Sequence, residues 1–178
     1  MKDKVKKMNK KQKKIFFCVC ITFFLFLIVA TYLLNQKSPY EYLKEQKGMT
    51  AQTTANECLK EMRIGNKYIV FFINENGNLS CAVMKKKILS YKILRISGEL
   101  SQSKNSKNYL FSSYEDNGYK WIDWGVIYDS DIEAVLSNNN KMNIIDNLQY
   151  SFRICWIIGS GEENTPPEHE EIKEGSLN

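Results

Sequence analysis

Ile15 and Leu34 bound twenty consecutive residues without a charge, IFFCVCITFFLFLIVATYLL. Wound as an α-helix, this run is roughly 30 Å long, the thickness of a bilayer's hydrocarbon core. Its polar members are Thr22, Thr31 and Tyr32. A threonine hydroxyl bonds back onto its own helix, and an aromatic near the end of the run suits the membrane interface. A core helix of a soluble protein keeps a polar face, and this run has none. A cleaved secretory leader is the rival reading. Leaders carry an apolar region of about 7–15 residues closed by small side chains. This run is longer and leaves through Ala30-Thr31-Tyr32-Leu33-Leu34. A lipoprotein would place its cysteine at the far end, whereas Cys18 and Cys20 lie near the start. The run reads as an uncleaved single-pass anchor.

Charge orients it. The first fourteen residues hold eight lysines and one aspartate, a net +7 in a chain whose total is +5, so the remainder sums to −2. The basicity is therefore a topogenic signal and not a nucleic-acid footprint. Only Lys37, Lys44 and Lys47 follow closely on the other side. The positive-inside rule then puts the N-terminus in the cytoplasm and the C-terminal domain outside the cell membrane. The expected partners are the lipid bilayer and another membrane or envelope protein, with no nucleic acid.

The expected organisation is a basic tail over 1–14, the membrane helix over 15–34, a helical juxtamembrane segment over 35–66, a β-rich domain over 67–158, and a disordered acidic tail over 159–178. The fold class is α+β. Ser38-Pro39-Tyr40-Glu41 has the form of a capping box with proline at the first helical position, and predicts a short helix to about Lys47. Ala51, Ala55, Cys58, Leu59 and Met62 form a stripe at helical spacing and predict a second helix over 50–64. Beyond it the apolar period changes to two. Residues 67–73 and 78–84 flank Asn76-Gly77, and a two-residue turn there pairs Phe72 with Cys81 and Val70 with Val83. Both faces of that hairpin are apolar, so it should be covered on both sides. A second hairpin turns at Asn117-Gly118, putting Phe111, Ile122 and Trp124 on one face and Tyr114, Trp121 and Asp123 on the other. Further strands are expected over 89–94, 132–136, 142–145 and 149–158, giving an antiparallel sheet or sandwich of six to eight strands. Residues 159–178 carry six glutamates and little to bury.

No catalytic residue is assigned. The single histidine, His169, sits among those glutamates and reads as solvated. Cys58, Cys81 and Cys155 are too scattered for a zinc site and read as buried thiols, with one disulfide as the alternative. Asp129, Asp131 and Glu133 resemble the opening of a calcium loop. The sixth position is Ala134 where glycine belongs, and the twelfth is Asn140 where a bidentate glutamate belongs, so a turn between strands is the better reading. Trp121, Tyr114 and Asp123 are the candidates for a ligand-binding face. Lys85-Lys86-Lys87 reads as a solvated strand end, with a headgroup contact as the alternative. No cofactor is implied.

Trp124-Gly125-Val126-Ile127, followed by Asp131-Ile132 and Val135 and later by Arg153-x-x-Trp156, resembles a pattern in small uncharacterised membrane-anchored extracytoplasmic proteins of Gram-positive bacteria. The resemblance covers about residues 67–160 and implies fold and location, with no activity. The leading expectation is a membrane-tethered interaction or accessory domain. The alternative is a sensor or binding domain for a small ligand, glycan or peptide, and an enzyme ranks last.

Overall fold

Alternating apolar residues dominate the chain beyond residue 55, and they close into three stacked antiparallel sheets. The computed structural model describes residues 9–34, 37–47, 49–88, 90–103, 108–146, 149–161 and 166–174. The chain divides into two units, Met1–Lys37 and Ser38–Asn178.

The first unit contains one helix, α1 (Lys10–Leu34), which encloses the apolar run. Its start is fixed by a reciprocal cap. Asn9 Oδ1 accepts from the Gln12 amide at 2.9 Å, and Gln12 Oε1 accepts from the Asn9 amide at 3.0 Å. Thr22 and Thr31 donate to the carbonyls of Cys18 and Leu27, so their hydroxyls are satisfied within the helix. Large apolar side chains are exposed on every side of it.

The second unit opens with α2 (Pro39–Lys44), capped as its sequence predicts: Ser38 and Glu41 exchange hydrogen bonds and proline occupies the first turn. It ends at Lys44, one turn sooner than expected, and Gly48, the glycine expected to stop it, lies outside the described residues. Glu61 also accepts from the Ser38 hydroxyl and the Tyr40 amide, which docks the helix start on the first strand.

The second helix predicted over 50–64 does not form. Thr50 and Thr53 close a turn, and residues 55–64 are a strand, β1 (Ala55–Ile64). Its pairing register slips between Ala55 and Glu57 and again between Cys58 and Lys60. Each slip breaks the two-residue alternation. Ala55 and Cys58 therefore face one core while Leu59, Met62 and Ile64 face another. A twice-bulged strand thus imitates a helical stripe, and the described residues hold two helices where three were expected. Among its described residues the segment 35–66, expected to be helical, is part helix and part strand, and the strands begin before residue 67.

Sheet A is the meander β1-β2-β3-β4, with β2 (Lys67–Asn74), β3 (Leu79–Lys86) and β4 (Tyr91–Leu100). Sheet B runs β5-β6-β10-β9, with β5 (Tyr109–Glu115), β6 (Tyr119–Ile127), β9 (Asn143–Asp146) and β10 (Arg153–Ser160). Sheet C runs β11-β7-β8, with β7 (Ile132–Ser137), β8 (Asn140–Lys141) and β11 (His169–Lys173). The main core lies between sheets A and B, where Phe71, Ile69 and Val83 meet Trp124, Ile122 and Ile154. The outer face of sheet A is covered by α2 through Leu43, which is 1% exposed and packs with Val70, Phe72 and Met84. The outer face of sheet B packs against sheet C through Ile127, Cys155, Ile132, Val135 and Met142. The β2–β3 hairpin is therefore covered on both faces, as its composition predicts.

Both hairpin registers differ from expectation by one residue. Phe71 pairs with Cys81, and Ser113 pairs with Trp121. Each loop has three residues, Glu75-Asn76-Gly77 and Asp116-Asn117-Gly118, with the last glycine at φ 78° and 104°. A glycine in that position closes a three-residue loop, and the extra residue shifts every partner. Asn74 favours the longer loop at the first hairpin. Its buried side chain accepts from the amides of Asn76 and Asn78 and donates to Glu99 at 2.7 Å.

The acidic tail also departs from expectation. Sheet B extends to Ser160, and β11 pairs antiparallel with β7 from His169↔Ser137 to Lys173↔Ile132. Ile172 is its one apolar residue, so its place in the fold comes from polar partners.

Candidate functional site

Alternation along β6 sends Trp121, Asp123 and Gly125 toward sheet C and Ile122, Trp124 and Val126 into the main core. Asp123 is 0% exposed. Its Oδ2 accepts from Ser137 Oγ on β7 at 2.6 Å and lies 2.8 Å from His169 Nε2 on β11. A buried carboxylate requires such partners, because desolvation of an unpaired charge is costly. Tyr109 stacks on the imidazole with ring centroids 4.0 Å apart and planes 8° apart. Its hydroxyl donates to Glu171 at 2.6 Å. Gly125 makes room for that ring, since a β-carbon there would collide with Tyr109. Burial, and then the hydrogen bond to Glu171, push the Tyr109 phenol well above its ordinary value.

The arrangement corrects the view of His169 as a solvated tail residue. Serine, histidine and aspartate do meet, in an order unlike a hydrolytic relay. Ser137 and His169 both bond the same aspartate oxygen, so the serine proton is directed at Asp123 and not at the imidazole. A relay requires the serine to hand its proton to histidine. The nearby thiol is equally unsuited to attack. Burial and the Asp123 carboxylate drive Cys155 far above the thiol range. Cys81 is pushed up by burial, and Cys58 rises to about 11 through burial and the Glu61 and Glu57 carboxylates. All five cysteines are free thiols. Chemically, the cluster fixes one strand across a sheet.

The predicted ligand face does not assemble as such. Trp121 and Asp123 share a face, but Tyr114 pairs with Lys120 and turns into the main core. The three-residue loop accounts for the flip, and Phe111 takes the place beside Trp121 at 5.8 Å between ring centroids. Trp121 lies over Gly159, where any β-carbon would meet its ring. Its Nε1 and Asp123 Oδ1 are buried without a hydrogen-bond partner among the described residues.

The acids Asp129, Asp131 and Glu133 flank a turn. Arg153 holds it by donating to the carbonyls of Asp129 at 2.8 Å and Ile132 at 2.7 Å. Asp131 lies 3.2 Å from Lys173, and Glu133 is exposed. Among the described residues no three His, Cys, Asp or Glu side chains gather in a way that could hold an ion.

A polar cleft of about 240 Å³ adjoins the histidine, lined by Leu136, Asn138, Asn139, Glu168, His169 and Glu170. Asn138 and Asn139 turn β7 into β8 at φ 45° and 63°. The Glu168 amide donates to Asn138 Oδ1 at 3.0 Å, and the Asn138 amide to the Glu168 carbonyl at 3.0 Å. The cleft is smaller than most small-molecule sites, which run about 300–1,000 Å³ and are mainly apolar.

Sequence reasoning missed Ser137, His169, Tyr109 and Glu171 as a group. The available signal was the alternation His169-x-Glu171-x-Lys173, a polar strand face hidden by overall acidity. Compared with known proteins, the chain matches no family model, no curated protein and no solved structure.

Proposed function

We propose that this chain is a membrane-tethered interaction or accessory domain, anchored by α1 with its N-terminus in the cytoplasm and its β-rich domain outside. The observation that carries the reading is α1 itself, 25 residues long with exposed apolar side chains all round. Such a surface is stable in lipid and costly in water. The cores of the second unit close among residues 40–158 without it. Tethering confines that domain to the plane of the membrane and raises its effective concentration for envelope partners. A non-enzymatic role fits the buried Asp123 cluster, whose histidine and serine are directed at one carboxylate oxygen. The resemblance to Gram-positive extracytoplasmic proteins agrees with the same location.

The test is crosslinking and co-purification of the intact protein from its membrane, against a version with residues 15–34 replaced by an unrelated anchor. A stoichiometric protein partner retained by both places the function in the outer domain. A partner lost on exchange moves it to the helix. Absence of any partner in both defeats the interaction reading. Protease protection in sealed vesicles tests the orientation: cleavage of the β-domain only after lysis of cytoplasm-out vesicles is expected.

A further inference from the structure

Three connections meet at one end of the β-domain: Gly65–Asn66 between β1 and β2, the link closed by the Lys87 amide on the Ser90 carbonyl at 2.9 Å between β3 and β4, and 116–118 between β5 and β6. Lys86 donates its amide to the Asn66 carbonyl at 3.1 Å. Lys85 and Lys67 both reach Asp116, at 2.7 and 3.2 Å. Outside α1, the large apolar side chains exposed among the described residues are Ile88, at 88%, and Tyr119, at 59%. Both lie at this end. Lys86, Lys87, Lys92 and Arg63 are exposed around them. The carboxylates facing them are Asp116, already engaged by two lysines, and the exposed Glu115.

An isoleucine exposed between β3 and β4 and ringed by cations has the chemistry of an interfacial contact. The apolar tip enters the headgroup region while the lysines meet anionic phosphates.

We infer that Ile88, with Lys86 and Lys87, docks on the anionic lipid surface. The inference rests on the anchor reading above. It adds a second membrane contact that fixes the orientation of the domain on the bilayer.

The test uses the full chain in lipid nanodiscs carrying brominated acyl chains. I88W adds an emitter at the tip, and its emission is read as the difference from the unsubstituted protein. Strong quenching is expected in anionic discs. K86E/K87E combined with I88W should reduce the docked-to-undocked ratio at least about tenfold, since each basic residue near an anionic surface contributes on the order of a fivefold preference. Carbonate extraction of vesicle-reconstituted protein reads the anchor separately. Protein that resists extraction while I88W stays unquenched overturns the docking and leaves the anchor standing. Quenching that is equal in zwitterionic discs, or unmoved by K86E/K87E, overturns the anionic surface as the partner. Release by carbonate overturns the anchor reading and the inference with it.

Discussion

Strands β1 and β11 occupy equivalent positions, each at the edge of a sheet, and are held by opposite means. β1 is pinned by apolar side chains on both faces: Ala55 and Cys58 pack toward α2, and Leu59, Met62 and Ile64 toward sheet B. β11 has one apolar residue, and its alternate positions each find a polar partner. His169 meets Asp123, Glu171 meets Tyr109, and Lys173 meets Asp131. Burial of apolar surface is non-directional and tolerates the two bulges of β1. Polar anchoring requires particular atoms at hydrogen-bond distance, and leaves the strand dependent on a few contacts.

The largest expected effect therefore falls on the strand with the fewest anchors. His169→Ala leaves Asp123 buried with Ser137 alone at that oxygen. Leaving a buried carboxylate short of a hydrogen-bond partner costs on the order of 3 kcal/mol. The loss should be local: β11 lifts, water reaches Asp123, and amide exchange in β7 and β11 accelerates about 100-fold while sheet A keeps its protection. Uniform acceleration across all sheets would show that β11 belongs to the global folding unit. On β1, Met62→Ala removes a half-buried side chain from the main core and should cost about 2 kcal/mol. This loss should appear in the denaturation midpoint of the whole domain, because the core joins sheets A and B. Selective fraying of β1 in that variant would erase the contrast.

The same contrast explains what was legible in the sequence. Local pattern, apolar periodicity together with the Ser38–Glu41 capping box, revealed the covered β2–β3 hairpin, the strands of sheet B and the capped start of α2. It failed where local pattern was ambiguous. The bulges of β1 produced a helical spacing, and three-residue loops at Gly77 and Gly118 moved both hairpins by one residue. That single step sent Tyr114 into the core and left Trp121 with Phe111. It failed most completely at β11, whose partners lie 46 and 62 residues away. Composition registers that residues 159–178 are acidic, and it cannot register that a buried aspartate on β6 needs a hydrogen-bond donor opposite.

Each edge strand also carries one tyrosine–glutamate hydrogen bond, which gives a matched pair. Tyr150 donates to Glu57 on β1 at 2.7 Å, and Tyr109 donates to Glu171 on β11 at 2.6 Å. Tyr109 is shielded beneath β11, so Tyr109→Phe should cost about 1 kcal/mol while keeping the ring stack on His169. Tyr150 is more open to solvent, and Tyr150→Phe should cost about 0.5 kcal/mol. The alkaline response separates them. Both phenols are raised above the ordinary value of 10, so folding favours their protonated forms. Their contribution is complete below pH 10 and is lost as pH rises through the folded value. The hydrogen bond to Glu57, then burial, lift Tyr150 to about 12, so its contribution should fade between pH 10 and 12. Tyr109 should outlast it. Ultraviolet titration of the two phenylalanine variants measures this, and an unshifted Tyr109 would mean that β11 is already open at neutral pH.

The smallest effect is expected at the end of β11. Lys173 and Asp131 lie 3.2 Å apart, but their side chains are 59% and 50% exposed. Solvent screens such a pair, and exposed ion pairs contribute roughly 0–1 kcal/mol. Lys173→Ala should therefore change stability by less than about 0.5 kcal/mol in dilute buffer, and by nothing measurable at 1 M salt, where the screening length is about 3 Å. Amide exchange at the Lys173 end of β11 should then already be faster than at the His169 end in the unsubstituted protein. Equal protection along β11, combined with a Lys173→Ala loss matching that of Tyr109→Phe, would mean that the strand is held along its whole length and not clamped at one end by His169. The fall of stability from the buried histidine, through the shielded tyrosine, to the exposed lysine is what a polar strand face should show when burial sets the strength of each contact.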